Sequence, residues 1–180
     1  LCNEHIDMID AILFIQQYIE YTDEGINEEK VIAGEEDWNN LKDEVKELVN
    51  QALLSVEEIE KTYPELLIEA KANKFLKDNL TTEDGQVIVE SNNSNYKQIM
   101  DAEDDYNALS DEVKEEVNRI LTEKGNTTYP ELLKDAQKLE PTPKTGDMFV
   151  VMITILAASV VGLSTTYIIK RNTLAQQVFF

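Results

Sequence analysis

The chain contains an internal repeat of about 67 residues, and this repeat constrains the fold more than any other feature. WNNLKDEVKELVN, residues 38–50, matches YNALSDEVKEEVN, residues 106–118, at an offset of 68. TYPELLIEAK, residues 62–71, matches TYPELLKDAQ, residues 128–137, at an offset of 66. A repeated sequence encodes a repeated supersecondary unit, so the two copies are expected to fold alike and to stack.

Apolar residues inside the repeat recur at helical spacing. The first segment of each copy carries Val31, Gly34, Trp38 and Leu41, matched by Ile99, Ala102, Tyr106 and Leu109. The next segment carries Val45, Val49, Ala52, Leu53 and Val56, matched by Val113, Val117, Ile120 and Leu121. This period predicts amphipathic helices with one face in a core. Trp38 and Tyr106 are therefore predicted to pack in the core and not to stack on a ligand.

Local signals mark the helix ends. Ser110 is predicted to be an N-cap, because its hydroxyl can accept a first-turn N–H. Lys42 replaces this serine in the first copy, so Asp43 is expected to cap there. Pro64 and Pro130 suit the first turn of a helix, where no hydrogen bond is lost.

These signals predict an all-α protein of two tandem three-helix repeats followed by a single C-terminal transmembrane helix. The predicted helices cover residues 4–20, 27–41 and 43–61, then 64–80, 96–109 and 111–124, and finally 130–139. The loop 81–95 contains QVIVE, for which irregular structure is favoured over a short strand. The predicted division is repeat 1 at 1–62, repeat 2 at 63–127, a short terminal helix at 128–139, a linker at 140–147, the transmembrane helix at 148–169 and a tail at 170–180.

The end of the chain differs sharply in charge from the rest. Residues 1–147 carry 36 acidic and 14 basic residues, a net charge of −22, whereas residues 148–169 carry no charge. Twenty-two residues in a helix span about 33 Å, which matches a hydrocarbon core of ~30 Å. Lys170 and Arg171 follow directly and are expected to stop transfer on the cytoplasmic side. Residues 1–147 are then extracellular.

A short motif precedes this span: Thr142, Pro143, Lys144, Thr145 and Gly146. The order of pentapeptide, apolar span and basic pair resembles the cell-wall sorting signal of Gram-positive surface proteins. Thr142 stands where the usual signal has leucine. The helical repeat is similar to the spacer modules common in such proteins.

This resemblance implies that the chain is the substrate of a sortase and not a catalyst. The sortase cysteine would attack the Thr145 carbonyl and release the chain from Gly146 onward. A peptidoglycan cross-bridge amine would then resolve the acyl-enzyme and leave Thr145 joined to the cell wall. The remaining partners implied are the membrane, through residues 148–169, and an unidentified surface ligand.

Other functional classes find little support in the sequence. The acidic surface lacks the Lys and Arg clusters that neutralise phosphates, which excludes nucleic-acid binding. His5 is the only histidine and Cys2 the only cysteine, so no nucleophile–base pair or cysteine-based zinc site is predicted, and Cys2 is expected to be a small buried residue. Loops at Gly25 and Gly85 lack the carboxylate spacing of a calcium-binding EF-hand. No enzyme activity, metal site or cofactor is predicted.

Two alternatives stay open at this stage. The chain could be a single-pass membrane-tethered helical protein in which TPKTG is only a linker. It could also be the C-terminal fragment of a surface enzyme whose catalytic domain precedes Leu1, since the sequence does not begin with methionine and is expected to be a fragment or a processed form.

We predict that calcium does not stabilise the soluble part. A ligand at 100 times its dissociation constant raises the free energy of unfolding by about 2.7 kcal/mol, which a thermal melt detects readily. Residues 1–139 should melt at the same temperature with and without micromolar calcium. A saturable rise in melting temperature would show that the clustered carboxylates bind the ion.

Overall fold

Helices account for most of the chain in the computed structural model, which describes residues 2–22 and 25–140, with side chains from residue 5. In this part of the chain the elements are α1 Cys2–Tyr18, β1 Tyr21–Thr22, β2 Gly25–Ile26, α2 Glu28–Ala33, α3 Glu35–Asn40, α4 Asp43–Leu54, α5 Tyr63–Asn79, α6 Tyr96–Asp101, α7 Glu103–Ala108, α8 Asp111–Gly125 and α9 Tyr129–Leu139. The predicted helical class is confirmed for these residues. The predicted membrane span, 148–169, lies outside them, and none of the helices described is both long and apolar enough to cross a bilayer.

Helices at matching positions in the two sequence copies pack in matching pairs. Helix α1 packs against α4, and α5 packs against α8 in the same way. Helix α2 packs against α5, and α6 packs against α9. Two hydrophobic cores result, the first between α1 and the N-terminal half of α5, and the second between the C-terminal half of α5 and α9.

Helix α5 belongs to both cores. Its N-terminal half contributes Tyr63, Leu66 and Ala70 to the first core. Its C-terminal half contributes Ala72, Phe75 and Leu76 to the second. The sequence spacing explains this division, because the two sets lie on different sides of one continuous helix. The helix that closes the first core therefore also opens the second.

The helices predicted at 27–41 and 96–109 are each divided into two. Gly34 separates α2 from α3, and Ala102 separates α6 from α7, with ψ at −6° in both residues. A helical ψ is near −42°, so this value turns the second half of each helix away from the axis of the first. The prediction of one continuous helix in each place was wrong, although Val31, Gly34 and Trp38 are buried as predicted.

The helix predicted at 43–61 is shorter than expected, ending at Leu54. The chain then turns, and Glu60 adopts a positive φ of 45°. Ala52 and Val56 are exposed, and Ile59 enters the core in their place. Lys42, not Asp43, occupies the N-cap position of α4, and its side chain makes no capping hydrogen bond. These details of the prediction were wrong. The turn after Leu54 redirects the apolar residues that follow it, so Ile59 is buried and Val56 is exposed.

The other helix ends agree with the sequence. The Ser110 hydroxyl accepts a hydrogen bond from the Val113 N–H at the start of α8. Pro64 and Pro130 occupy the first turns of α5 and α9, and each lies within a threonine–glutamate capping box.

The segment containing QVIVE is irregular apart from one isolated bridge between Thr81 and Val87, and Ile88 from this segment is buried.

We predict that Gly34→Ala destabilises the protein by about 1–3 kcal/mol through overpacking. A Cβ at residue 34 would lie 2.7 Å from both the Tyr18 ring and the Tyr63 hydroxyl. Chemical denaturation measures the loss. The second copy has alanine at the matching position, Ala102. A weaker match of AILFIQQYI, residues 11–19, with ANKFLKDNL, residues 72–80, places Asn79 at the position of Tyr18. Gly34→Ala should therefore cost less in a Tyr18→Asn background. An equal cost in both backgrounds would contradict the role assigned to the Tyr18 ring.

Candidate functional site

The predicted sorting residues begin two positions after the last described residue. Helix α9 ends at Leu139, and Glu140 leaves it with φ −61° and ψ 123°. This extended geometry is the one that a following proline imposes, and Pro141 follows. The pentapeptide 142–146 and the basic pair, Lys170 and Arg171, lie outside the described residues. Helix α9 thus ends three residues before the predicted pentapeptide.

Helix α9, which leads to the pentapeptide, is held in place by polar and apolar contacts of Tyr129. The Tyr129 hydroxyl donates to the Ile99 carbonyl oxygen at 2.8 Å, and its backbone N–H donates to Asn118 Oδ1 at 2.9 Å. The tyrosine is 1% exposed. A capping box between Thr128 and Glu131 fixes the start of the same helix. The first turn of α9 is therefore joined both to α6 and to α8.

The first copy repeats these contacts at Tyr63. Its hydroxyl donates to the Val31 carbonyl oxygen at 2.6 Å, and its N–H donates to Asn50 Oδ1 at 3.0 Å. The side chain has no measurable exposure. The TYPEL segments at 62–66 and 128–132 therefore close the two cores in the same way. This shared role explains why the segment is nearly identical in the two copies.

Two aromatic rings pack against each closing tyrosine. The ring centroids of Trp38 and Tyr63 are 4.7 Å apart, and Phe14 lies 4.9 Å from Tyr63. In the second core the centroids of Tyr106 and Tyr129 are 4.3 Å apart, with Phe75 at 5.7 Å. These distances and tilts are those of favourable aromatic packing. The prediction that Trp38 and Tyr106 pack in the core is confirmed, since each is 8% exposed.

One side of α5 carries polar contacts to the preceding helices. Lys71 Nζ lies 2.5 Å from Glu35 Oε1, and Asn73 Nδ2 donates to Glu28 Oε1 at 2.7 Å. These partly buried contacts fix how α5 lies against α2 and α3.

The start of α5 is capped. The Thr62 backbone N–H donates to Glu65 and is the main cause of the lowered pKa of that carboxyl. Lys71 and Asn73 therefore serve helix packing, and Thr62 and Glu65 cap the start of α5.

No group of three or more His, Cys, Asp or Glu side chains in the described part of the chain could hold a metal ion. A cleft of about 220 Å³ lies beside the antiparallel pair of β1 and β2, and its lining includes Tyr21, Ile26, Ile59, Lys61 and the carboxylates of Glu28, Glu58 and Glu69. His5 is exposed on α1, and the side chain of Cys2 lies outside the described atoms. The cleft thus presents carboxylates, one of which, Glu69, is paired with Lys61 Nζ at 2.5 Å.

Sequence reasoning missed an exposed apolar surface on α1. Five large side chains point away from the core: Ile6, Met8, Ile9, Ile12 and Leu13. The signal was present, because this helix is apolar on nearly all sides and a helix that covers only one core needs a single apolar face.

Comparison of the chain with protein-family models, with curated proteins and with solved structures finds no match.

We predict that the two closing tyrosines make folding stability fall at alkaline pH. Burial, helped by nearby carboxylates, raises the pKa of Tyr63 and of Tyr129 above the ordinary value. The folded state therefore holds both protons at a pH where the unfolded state, with a tyrosine pKa of about 10, releases them. The contribution is complete below pH ~10 and is lost as the pH rises above it.

Tyr63→Phe and Tyr129→Phe should each lower the free energy of unfolding by about 1 kcal/mol at neutral pH, because one hydrogen bond is lost. The same variants should show a smaller decline in stability above pH ~10. Urea unfolding at several pH values measures both effects. Tyr21→Phe is the control, since Tyr21 is 57% exposed and should change neither quantity. An unchanged alkaline decline in the double variant would contradict the assignment.

Proposed function

We propose that this chain is the stalk and anchor region of a Gram-positive surface protein, and that a sortase joins Thr145 to the cell wall. The observation that carries the proposal is the order of TPKTG at 142–146, the uncharged span 148–169 and the pair Lys170 and Arg171. Each part alone is common, but a sorting signal requires all three in this order. The chain acts as substrate, and the sortase supplies the chemistry.

The proposed architecture is two tandem three-helix repeats followed by a single transmembrane helix. The matching contacts of Tyr63 and Tyr129 support the repeat. The uncharged composition of residues 148–169 supports the span. In this arrangement the helical unit stands outside the cell, and the span holds the chain in the membrane until the sortase cuts.

The end of α9 supports access of a sortase to the motif. The helix ends at Leu139, three residues before Thr142. Five residues lead from Glu140 to Thr145, which is a reach of up to about 17 Å in extended form. Proline at 143 disfavours helix for the residue before it, and glycine at 146 leaves the cleaved bond without a neighbouring side chain.

The acidic surface suits a display role. Residues 1–147 carry a net charge of −22, so the helical unit is repelled by anionic lipid headgroups. Repulsion from the membrane surface keeps the unit in the aqueous phase outside it. The unit then holds any attached binding region away from the membrane, or itself provides a surface for a ligand.

We expect covalent retention of the chain in the cell wall of a sortase-positive Gram-positive strain. Detergent should leave the wild-type chain in the wall fraction, and muramidase should release it with wall fragments attached to Thr145. Mass spectrometry of the released C-terminal peptide identifies the attachment. Replacement of the cleaved threonine, Thr145→Ala, should move the protein into the detergent fraction at full length.

The matched control is Lys144→Ala, at the position that sorting signals leave variable. This variant should be retained like the wild type, because its side chain is not part of the recognised pattern. If detergent extracts all of the wild-type chain at full length, the simple membrane tether is correct and TPKTG is a linker. If the wall-bound chain carries enzyme activity only together with an upstream domain, the surface-enzyme alternative is correct and anchoring still holds.

A further inference from the structure

A continuous apolar face runs along the outer side of α1. Its five residues, Ile6, Met8, Ile9, Ile12 and Leu13, are 47–56% exposed, whereas Ala11 and Phe14 on the opposite side are 4% exposed. The five expose roughly 500 Å² in total, which is near the upper end of the largest apolar patch on a typical monomer. A patch of this size indicates an interaction surface.

The matching side of α5 is covered by protein. The weak sequence match between residues 11–19 and 72–80 places Ile9 and Ile12 of α1 at the positions of Ala70 and Asn73 of α5. Ala70 is 2% exposed in the first core, and Asn73 binds Glu28 of α2. The side of α5 that faces a neighbour thus corresponds to a side of α1 that is more apolar and that no described residue covers.

An acidic helix such as α2 would not fit on α1. In α5 the partners of Glu28 and Glu35 are Asn73 and Lys71. At these positions α1 has Ile12 and Asp10. Two glutamates would therefore face a hydrocarbon side chain and a second carboxylate, with no donor to compensate their desolvation. A partner that covers Ile9 and Ile12 therefore presents apolar side chains to them and no unpaired carboxylate.

The outer face of α1 is itself such a surface, and it is self-complementary. His5, Ile9, Ile12 and Gln16 follow one another at intervals of four, three and four residues, the spacing of a coiled-coil seam. In an antiparallel pair Ile9 of one copy meets Ile12 of the other, and His5 meets Gln16. Beside the seam, Ile6 meets Leu13. Apolar residues then meet at the centre and polar residues meet at the two ends.

The charges nearby are compatible with such a pair. The seam contains no Asp, Glu, Lys or Arg. Asp7 lies to the side and is paired with Lys42 Nζ at 2.8 Å. Pairing therefore buries no unpaired charge. Long-range repulsion between two chains of net charge −20 opposes it, in addition to the entropy lost on association, and salt screens the repulsion.

We propose that the outer face of α1 joins two copies of this chain as an antiparallel, two-fold symmetric helix pair. A two-fold interface uses the same patch on both copies, which this face satisfies. It would bury roughly 1,000 Å² in total, the size of a weak and transient interface. The interface is distinct from the proposed wall anchoring and does not rest on it.

Sedimentation velocity of the full chain in a non-ionic detergent tests the pairing. The protein mass per particle should rise from monomer toward dimer between ~5 and ~500 µM, in keeping with a weak interface. The dimer should form at lower concentration in ~1 M than in ~0.1 M sodium chloride, because salt screens the repulsion. Ile12→Glu should raise the concentration needed at least ~10-fold, since it buries two carboxylates in the seam.

Leu54→Glu is the matched control. Leu54 is 49% exposed and Ile12 is 47% exposed, and the two variants carry the same added charge, but Leu54 lies on α4. This variant should dimerise like the wild type. Circular dichroism checks that the variants are folded, and the neutral variant Ile9→Gln should also weaken pairing. A monomer at every concentration, equal effects of Ile12→Glu and Leu54→Glu, or association that salt weakens would each overturn the proposal.

Discussion

The double burial of α5 is the constraint on which the rest of the described structure depends. One side of this helix completes the first core and another begins the second. Neither core is complete without it, because Tyr63 closes the first and Phe75 provides an aromatic ring to the second. Small helical units have thin cores, so a helix used twice increases the apolar area buried per residue. The two halves of the chain therefore stabilise each other through a shared element.

The closing tyrosine combines apolar burial with a satisfied hydroxyl group. Each ring packs among aromatic neighbours while its hydroxyl donates to a carbonyl oxygen of the helix that precedes the kink, Val31 or Ile99. A phenylalanine would fill the same space but would leave that contact unmade. Trp38 of the first copy is matched by Tyr106 in the second, and the Tyr106 hydroxyl accepts a hydrogen bond from Asn118 Nδ2 at 2.9 Å.

The sequence predicted the helices and most of the core, because the apolar period and the capping residues are local signals. Val45, Val49, Trp38 and Tyr106 are buried as expected. The kinks at Gly34 and Ala102 were not predicted, since a ψ near 0° is set by packing around the closing tyrosine and has no local signature. The turn after Leu54 was missed for the same reason. Ile59 and Val56 are both apolar, and only tertiary contacts determine that Ile59 is buried and Val56 is exposed. The sorting residues were predicted from their order alone, and they lie beyond the described residues.

A shared helix also makes the length of the protein easy to change. Because the closing helix of one unit is the opening helix of the next, inserting an in-phase segment of 66–68 residues adds one core and creates no new kind of interface. At the C-terminal end Lys138 stands where α5 has the buried Ala72, so α9 closes a core without opening another. Growth by duplication would therefore lengthen the array from within while its last helix stays unchanged.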